Sequence, residues 1–486
     1  MKSVLPSKYW NEEVSSSRSL DGVAHSLPAE PPPLGLVAGT RLSRSQQLLL
    51  LQRFLAIPCT PSYAVDADNK GGLVLDRVLG STGGDNWWAT LTGRVRPQRM
   101  GRSDQPVSRG TSMTDETSTS SAFDKLKESA NRFLGSSLYA LCFRSRVQLG
   151  RTTLSGTSEL DNLSRQSLPD QQPPLGVVPW RGRAALRHKL DQHQILLEAA
   201  YHECYVDRHS NSWEVPHTVS ADVASRGALG GLRYRVGVHH SAGAPLKGGG
   251  GQGALKVPPG ALPGLRIQAG ASMEKSLNLW KGESNRSSKN SYSFLEARPS
   301  ISLSGVLGGM VGVQMDPLYG TKTSMDSYNG GTNGSNQPTP PDSSNPRYSS
   351  DMFASAGLNA QFGQFERRYL DFTKFGVRVD VGAASKLISA ISSKSRQAAS
   401  SQGWPICERV RPTLALSLQQ QVLGPLRARV DSRVSVDPLN LKQQPSVEEI
   451  ICGLDYPLDA SGAAKLCVWY SPTRREGMAE FRILER

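Results

Sequence analysis

Two groups of cations in this chain sit where an anionic oxygen could be held. Arg41, Arg44 and Arg53 surround an oily segment that begins near Ser43, and Lys125, Lys127 and Arg132 are interleaved with Phe123, Leu126, Phe133 and Leu134. A basic amphipathic segment suits a lipid surface, because its apolar face enters the acyl boundary while its cations meet phosphate. Charge-assisted bonds from Arg or Lys are stronger than neutral ones, and a phosphomonoester head group would suit these residues best. A solvated helix face accounts for the same residues equally well. Nucleic-acid binding fits less well, since the remaining arginines alternate along apparent strands rather than gathering beside stacking aromatics.

Other chemistries lack their residues. Gly248, Gly250 and Gly253 match a dinucleotide-binding spacing, but they stand in a glycine run without a flanking strand and helix. His239 and His240 have no carboxylate or cysteine at ligand spacing and read as a strand end, so no metal or cofactor is expected. No nucleophile elbow, zinc-protease or phosphate-loop motif occurs, and no carboxylate pair stands out as acid and base. The reading is of a protein that is not an enzyme. Six scattered cysteines form no C-x-x-C pairs, which argues for reduced thiols rather than a disulfide framework.

The elements that must position the cations are strands. Over 426–436, Arg427, Arg429, Asp431, Arg433 and Ser435 fall on one side, and Ala428, Val430, Ser432, Val434 and Val436 fall on the other. The same alternation recurs near 87–96, 139–149, 232–239, 265–274, 375–381, 414–419, 465–470 and 479–483, with weaker runs near 195–206, 213–224, 300–315, 354–365 and 448–458. Only 37% of the 486 residues are hydrophobic, little for a soluble core of this size. Several runs match the 9–11 residues that a tilted strand needs to cross a bilayer, about as the pattern requires. The net charge of +14 points to anionic partners.

These observations predict an all-β fold: a closed antiparallel transmembrane β-barrel of roughly 12–16 strands, with a short N-terminal helical extension and long loops. The extension covers 1–70, with an amphipathic helix near 43–57. Ser43 and Gln46 form its capping box, and Pro58 stops it. The barrel covers 72–486, with low-complexity loops near 98–121, 157–185, 243–264 and 320–350. Short helices are expected over 122–134 and 384–393. The first residues show no apolar secretory stretch, and acidic Glu12, Glu13 and Asp21 argue against a transit peptide.

Several segments resemble the plant trigalactosyldiacylglycerol 4 family. They are Pro32-Pro-Leu-Gly-Leu, Gly39-Thr-Arg-Leu-Ser-Arg, Arg53-Phe-Leu-Ala, Ser137-Leu-Tyr-Ala-Leu, Trp213-Glu-Val-Pro, His239-His-Ser-Ala-Gly, Leu279-Trp-Lys-Gly, Ser417-Leu-Gln-Gln-Gln-Val-Leu-Gly-Pro and Tyr470-Ser-Pro. The order is kept over nearly the whole chain. The resemblance implies a β-barrel of the chloroplast outer envelope, at contacts with the endoplasmic reticulum. It also implies binding of phosphatidic acid, transfer of lipid from that reticulum for galactolipid synthesis, self-association as a homodimer, and work with an ABC-type lipid importer of the inner envelope. It assigns lipid binding to the regions holding Arg41, Arg44, Arg53, Lys125, Lys127 and Arg132. Of these, the last three lie where the sequence departs from the family pattern. A general outer-envelope pore for ions or small solutes is the alternative function.

Overall fold

The computed structural model describes residues 13–31, 33, 42–65, 71–100, 138–161, 180–226, 232–248, 257–279, 299–314, 347–363, 369–382, 384, 411–436, 444–458 and 464–483. Two short N-terminal strands, β1 (Glu13–Ser15) and β2 (Val23–Ser26), precede helix α1 (Arg44–Phe54). The first half of the wall follows: β3 (Thr60–Val65), β4 (Gly71–Gly84), β5 (Trp87–Val95), β6 (Tyr139–Leu149), β7 (Thr152–Asp161), β8 (Trp180–Lys189), β9 (His193–Val206), β10 (Ser212–Ser225) and β11 (Leu232–Ala242). A three-residue strand, β12 (Leu246–Gly248), folds back on β10. The second half is β13 (Gly264–Asn278), β14 (Ser300–Gln314), β15 (Arg347–Phe362), β16 (Thr373–Val381), β17 (Thr413–Leu423), β18 (Leu426–Ser435), β19 (Ser446–Pro457), β20 (Ala464–Ser471) and β21 (Glu476–Ile483).

Each wall strand pairs antiparallel with the next, and β11 pairs directly with β13. β21 returns to β3 through Gly477↔Tyr63 and Met478↔Ser62, closing an antiparallel barrel of 18 strands. The expected range of 12–16 is therefore too low. Four wall strands escape the pattern, none with a long run of large apolar residues at alternate positions: β3 reads TPSYAV, β4 reads GGLVLDRVLGSTGG, β7 reads TTLSGTSELD and β8 reads WRGRAALRHK. For the same reason the loop expected over 157–185 is shorter at both ends, since β7 runs to Asp161 and β8 starts at Trp180. In the glycine-rich stretch expected as loop over 243–264, β12 and a 3-10 turn at Pro259–Ala261 are ordered.

The wall is inside-out relative to a water-soluble fold. Along β18, Arg429, Asp431, Arg433 and Ser435 are buried while Val430 is exposed. Exposed apolar residues meet across strands: Leu91 opposite Phe143, Leu141 opposite Leu160, Leu303 opposite Leu358, and Ile267 between Val238 and Val311. Leaving a large apolar side chain in water forfeits about 1.5–3 kcal/mol each. So long an oily exterior therefore calls for hydrocarbon around it. No described helix is long and apolar enough to cross a membrane; the strands have that length.

The N-terminal strands lie in the lumen. β1 pairs with β2, and β2 runs parallel to β9 through His25↔Tyr205 and Ser26↔Val206. Leu20 packs on Ala140 and Cys142, the buried, inward residues of β6. Leu27 packs with Trp213, Val215 and Ala261. Helix α1 begins where expected: Ser43 caps the Gln46 amide and Gln46 answers through its side chain. It ends at Phe54 rather than near 57, ahead of Pro58.

Candidate functional site: the filled lumen and its helix

Alternate positions on the wall strands put a charged set inside the ring, and the N-terminal segment is tied into it. Arg94 makes a two-pronged contact with Asp76, Nε to Oδ1 at 2.7 Å and Nη2 to Oδ2 at 3.0 Å. The same guanidinium donates to the carbonyls of Arg18 and Ser19 at 3.1 and 3.3 Å. Arg18 pairs with Glu476 at the start of β21. The Ser15 hydroxyl donates to Glu480 at 2.7 Å, and Trp469 Nε1 donates to the same carboxylate at 2.9 Å. Further round the ring, Arg96 meets Asp161 at 2.6 Å, Arg183 meets Glu198 at 2.7 Å, and Lys465 meets Asp455 at 3.0 Å. Burying an unpaired charge costs several kcal/mol. These buried charges are thus matched pair by pair.

Two small clefts follow the line between segment and wall. One, about 30 Å3, is lined by Ser19, Asp21, Glu159, Arg181, Arg183 and Cys204 among others. The other, about 10 Å3, is lined by Asp21, Gly22, Val23, Leu42, Arg44, Gln47, Met478 and Glu480. Each has room for one or two waters. Where the segment leaves the ring, Glu30 accepts the Arg208 amide at 3.0 Å. Burial, then the neighbouring Asp207, push its carboxyl above the usual range, against the pull of Arg208.

The predicted lipid-binding residues separate in space. Arg44 opens α1 and is buried; it lies 3.6 Å from Asp76, and burial lowers its pKa against the opposing pull of Asp76 and Glu480. Arg53 lies in the last helical turn and is exposed, followed by exposed Phe54, Leu55 and Ile57. Arg41, Lys125, Lys127 and Arg132 lie outside the described residues, as do the helix expected over 122–134 and all but Ala384 of that over 384–393. His239 falls near the end of β11 and faces inward, 2.9 Å from Gln268 and 3.5 Å from Asp222. Among the described residues no cluster of His, Cys, Asp or Glu forms a metal site.

Sequence reasoning missed the residues that hold the segment in place: Ser15, Arg18, Asp76, Glu476 and Glu480. Their signal was the polar half of each alternating strand, whose partners in the chain's first 30 residues are remote in sequence.

No family model matches the chain. Protein trigalactosyldiacylglycerol 4, chloroplastic, from Arabidopsis thaliana is 29% identical over 491 residues, covering 98% of this chain and 97% of the relative. The chain is trigalactosyldiacylglycerol 4-like. Among solved structures, Wzi, an outer membrane protein involved in group 1 capsule assembly in Escherichia coli and a carbohydrate-binding β-barrel, aligns over 90% of this chain and 87% of its own, at 10% identity and a TM-score of 0.35.

Proposed function

We propose that this trigalactosyldiacylglycerol 4-like barrel is a lipid-transfer protein of the chloroplast outer envelope. It takes phosphatidic acid and related lipid from the endoplasmic reticulum toward galactolipid synthesis. The observation that carries this reading is the inverted wall: an apolar exterior around a charged lumen closed by the chain's own N-terminal segment. That arrangement supports residence in a bilayer and disfavours a freely open pore. The relative's name supplies the plastid and the galactolipid.

In this reading phosphate is met at the rim. Arg53 with Phe54, Leu55 and Ile57 offers a cation beside exposed apolar side chains. Arg41, Lys125, Lys127 and Arg132 are proposed to extend that surface. Arg44, paired inside the fold, contributes only if α1 moves. A homodimer and an inner-envelope ABC-type importer complete the proposal, because a binding protein alone cannot set the direction of net transfer.

The test is binding of the purified barrel to vesicles with and without phosphatidic acid. Preference for phosphatidic acid over charge-matched vesicles of other anionic lipids is expected. Equal binding to both overturns the lipid specificity.

A further inference from the structure

The ring is not closed equally well all round. β14 and β15 pair continuously from Ser300↔Gln361 to Gln314↔Arg347, whereas β21 and β3 share only Gly477↔Tyr63 and Met478↔Ser62. Among the described wall strands this is the shortest ladder. Its cause is in the sequence. Extending that register would set Ala479 opposite Pro61, which has no N–H to give, and Pro58 lies three residues earlier.

The backbone groups that β3 leaves unmet are taken by side chains of α1. Arg44 Nη1 donates to the Ala479 carbonyl at 2.7 Å, while its Nη2 donates to Ser62 Oγ at 3.2 Å. One guanidinium therefore bridges both sides of the seam. One turn on, Gln47 Oε1 accepts the Phe481 amide at 3.3 Å. On the outer side, Tyr63 and Tyr470 meet edge to face at 6.1 Å across β21. Directly behind the seam lies the cleft lined by Arg44, Gln47, Met478 and Glu480.

Resting on the lipid-transfer reading, we infer that the β3–β21 seam is the lateral portal for lipid, latched shut by Arg44 and Gln47 of α1. A diacyl lipid has the matching chemistry. Its head group enters the charged lumen through the parted strands while its acyl chains remain in the hydrocarbon that the wall already faces. Release of α1 exposes the Ala479 carbonyl and Phe481 amide together and frees the Arg44 cation for the head group. The latch and the anion site are thus one residue used in two states.

A reversible lock tests the portal. Ser62 and Met478 are direct cross-strand partners, whose Cα atoms in such a ladder are about 4.5–5.5 Å apart, within disulfide reach. The full chain carrying Ser62→Cys and Met478→Cys in a Cys467→Ser background is reconstituted in vesicles and oxidised after folding. A matched lock, Ser302→Cys with Asn359→Cys, pins the long β14–β15 ladder. The readout is movement of a fluorescent phosphatidic acid to acceptor vesicles. We expect the seam lock to reduce transfer at least tenfold, reduction to restore it, and the β14–β15 lock to leave it unchanged. Transfer that survives the seam lock overturns the portal and leaves the lipid-transfer reading intact. Absence of transfer in the reduced and oxidised forms alike overturns that reading, and the portal with it.

Discussion

Asp76 and Arg94 stand directly opposite each other on neighbouring strands β4 and β5, and both side chains are buried. The pair is the point at which wall, helix and lumenal segment meet, because Arg44 approaches the same carboxylate and the Arg18 and Ser19 carbonyls accept from the same guanidinium. Removing one member leaves the other charge buried and unmatched. Asp76→Ala is expected to cost about 3–5 kcal/mol. A lowered unfolding midpoint in detergent, together with faster proteolysis of the first 30 residues, checks it. An unchanged midpoint would show the pair to be dispensable.

The exterior makes a second claim that can be measured. Leu307 lies in the middle of the 15-residue strand β14 and is exposed. If hydrocarbon surrounds it, Leu307→Arg should cost about 2–4 kcal/mol when the chain folds into lipid vesicles. Leu307→Phe should be close to neutral. Urea titration of the vesicle-inserted forms measures both, and an arginine tolerated there as well as phenylalanine would place that face in water.

Docking of the N-terminal segment should depend on pH through Glu30. Its carboxyl is raised in the folded state, so the folded chain holds the proton more tightly than the unfolded one. This contribution to stability is complete below the ordinary glutamate range and is lost as pH rises through the higher folded value. Protease protection of residues 13–31 should therefore weaken over that interval. Glu30→Gln, which keeps an acceptor for the Arg208 amide, should flatten the dependence. A profile that is the same in both forms would remove Glu30 as its source.

The rim makes the fourth prediction. Arg53 is exposed beside Phe54, so Arg53→Ala should weaken binding to phosphatidic acid vesicles by about fivefold, the equivalent of about 1 kcal/mol per cation at an anionic surface. Raising ionic strength should narrow the gap between the two proteins, because exposed charges are screened. Vesicle co-sedimentation gives both numbers, and equal binding would move the contact elsewhere.

Period-two alternation makes most of the wall legible in the sequence alone. The stretch around Arg429, Asp431 and Arg433 shows why: neighbouring side chains must face lumen and lipid in turn, so the composition itself alternates. β7 and β8 escaped because their outer faces carry few large apolar residues: Gly156 and Ser158 separate Leu154 from Leu160, and Gly182 and Ala184 separate Trp180 from Leu186. The capping box at Ser43 was equally plain, since it is a contact between residues three apart. The lumenal lining was not. Ser15 meets Glu480 across 465 positions of sequence, and only ring closure brings them together. Arg44 illustrates the limit most clearly. Its charge and its amphipathic neighbours suggested a surface cation, yet the fold draws it inward to Asp76 and to the edge of β21.

The parallel contact of β2 with β9 has a consequence for biogenesis. A chain that holds residues 13–31 inside its own cylinder cannot be assembled in arbitrary order. The early segment must already be resting against the half-built sheet when the carboxyl-terminal hairpin arrives, or the cylinder would shut with nothing inside it. Folding in the membrane is thereby given a direction, ending at the hairpin of β20 and β21.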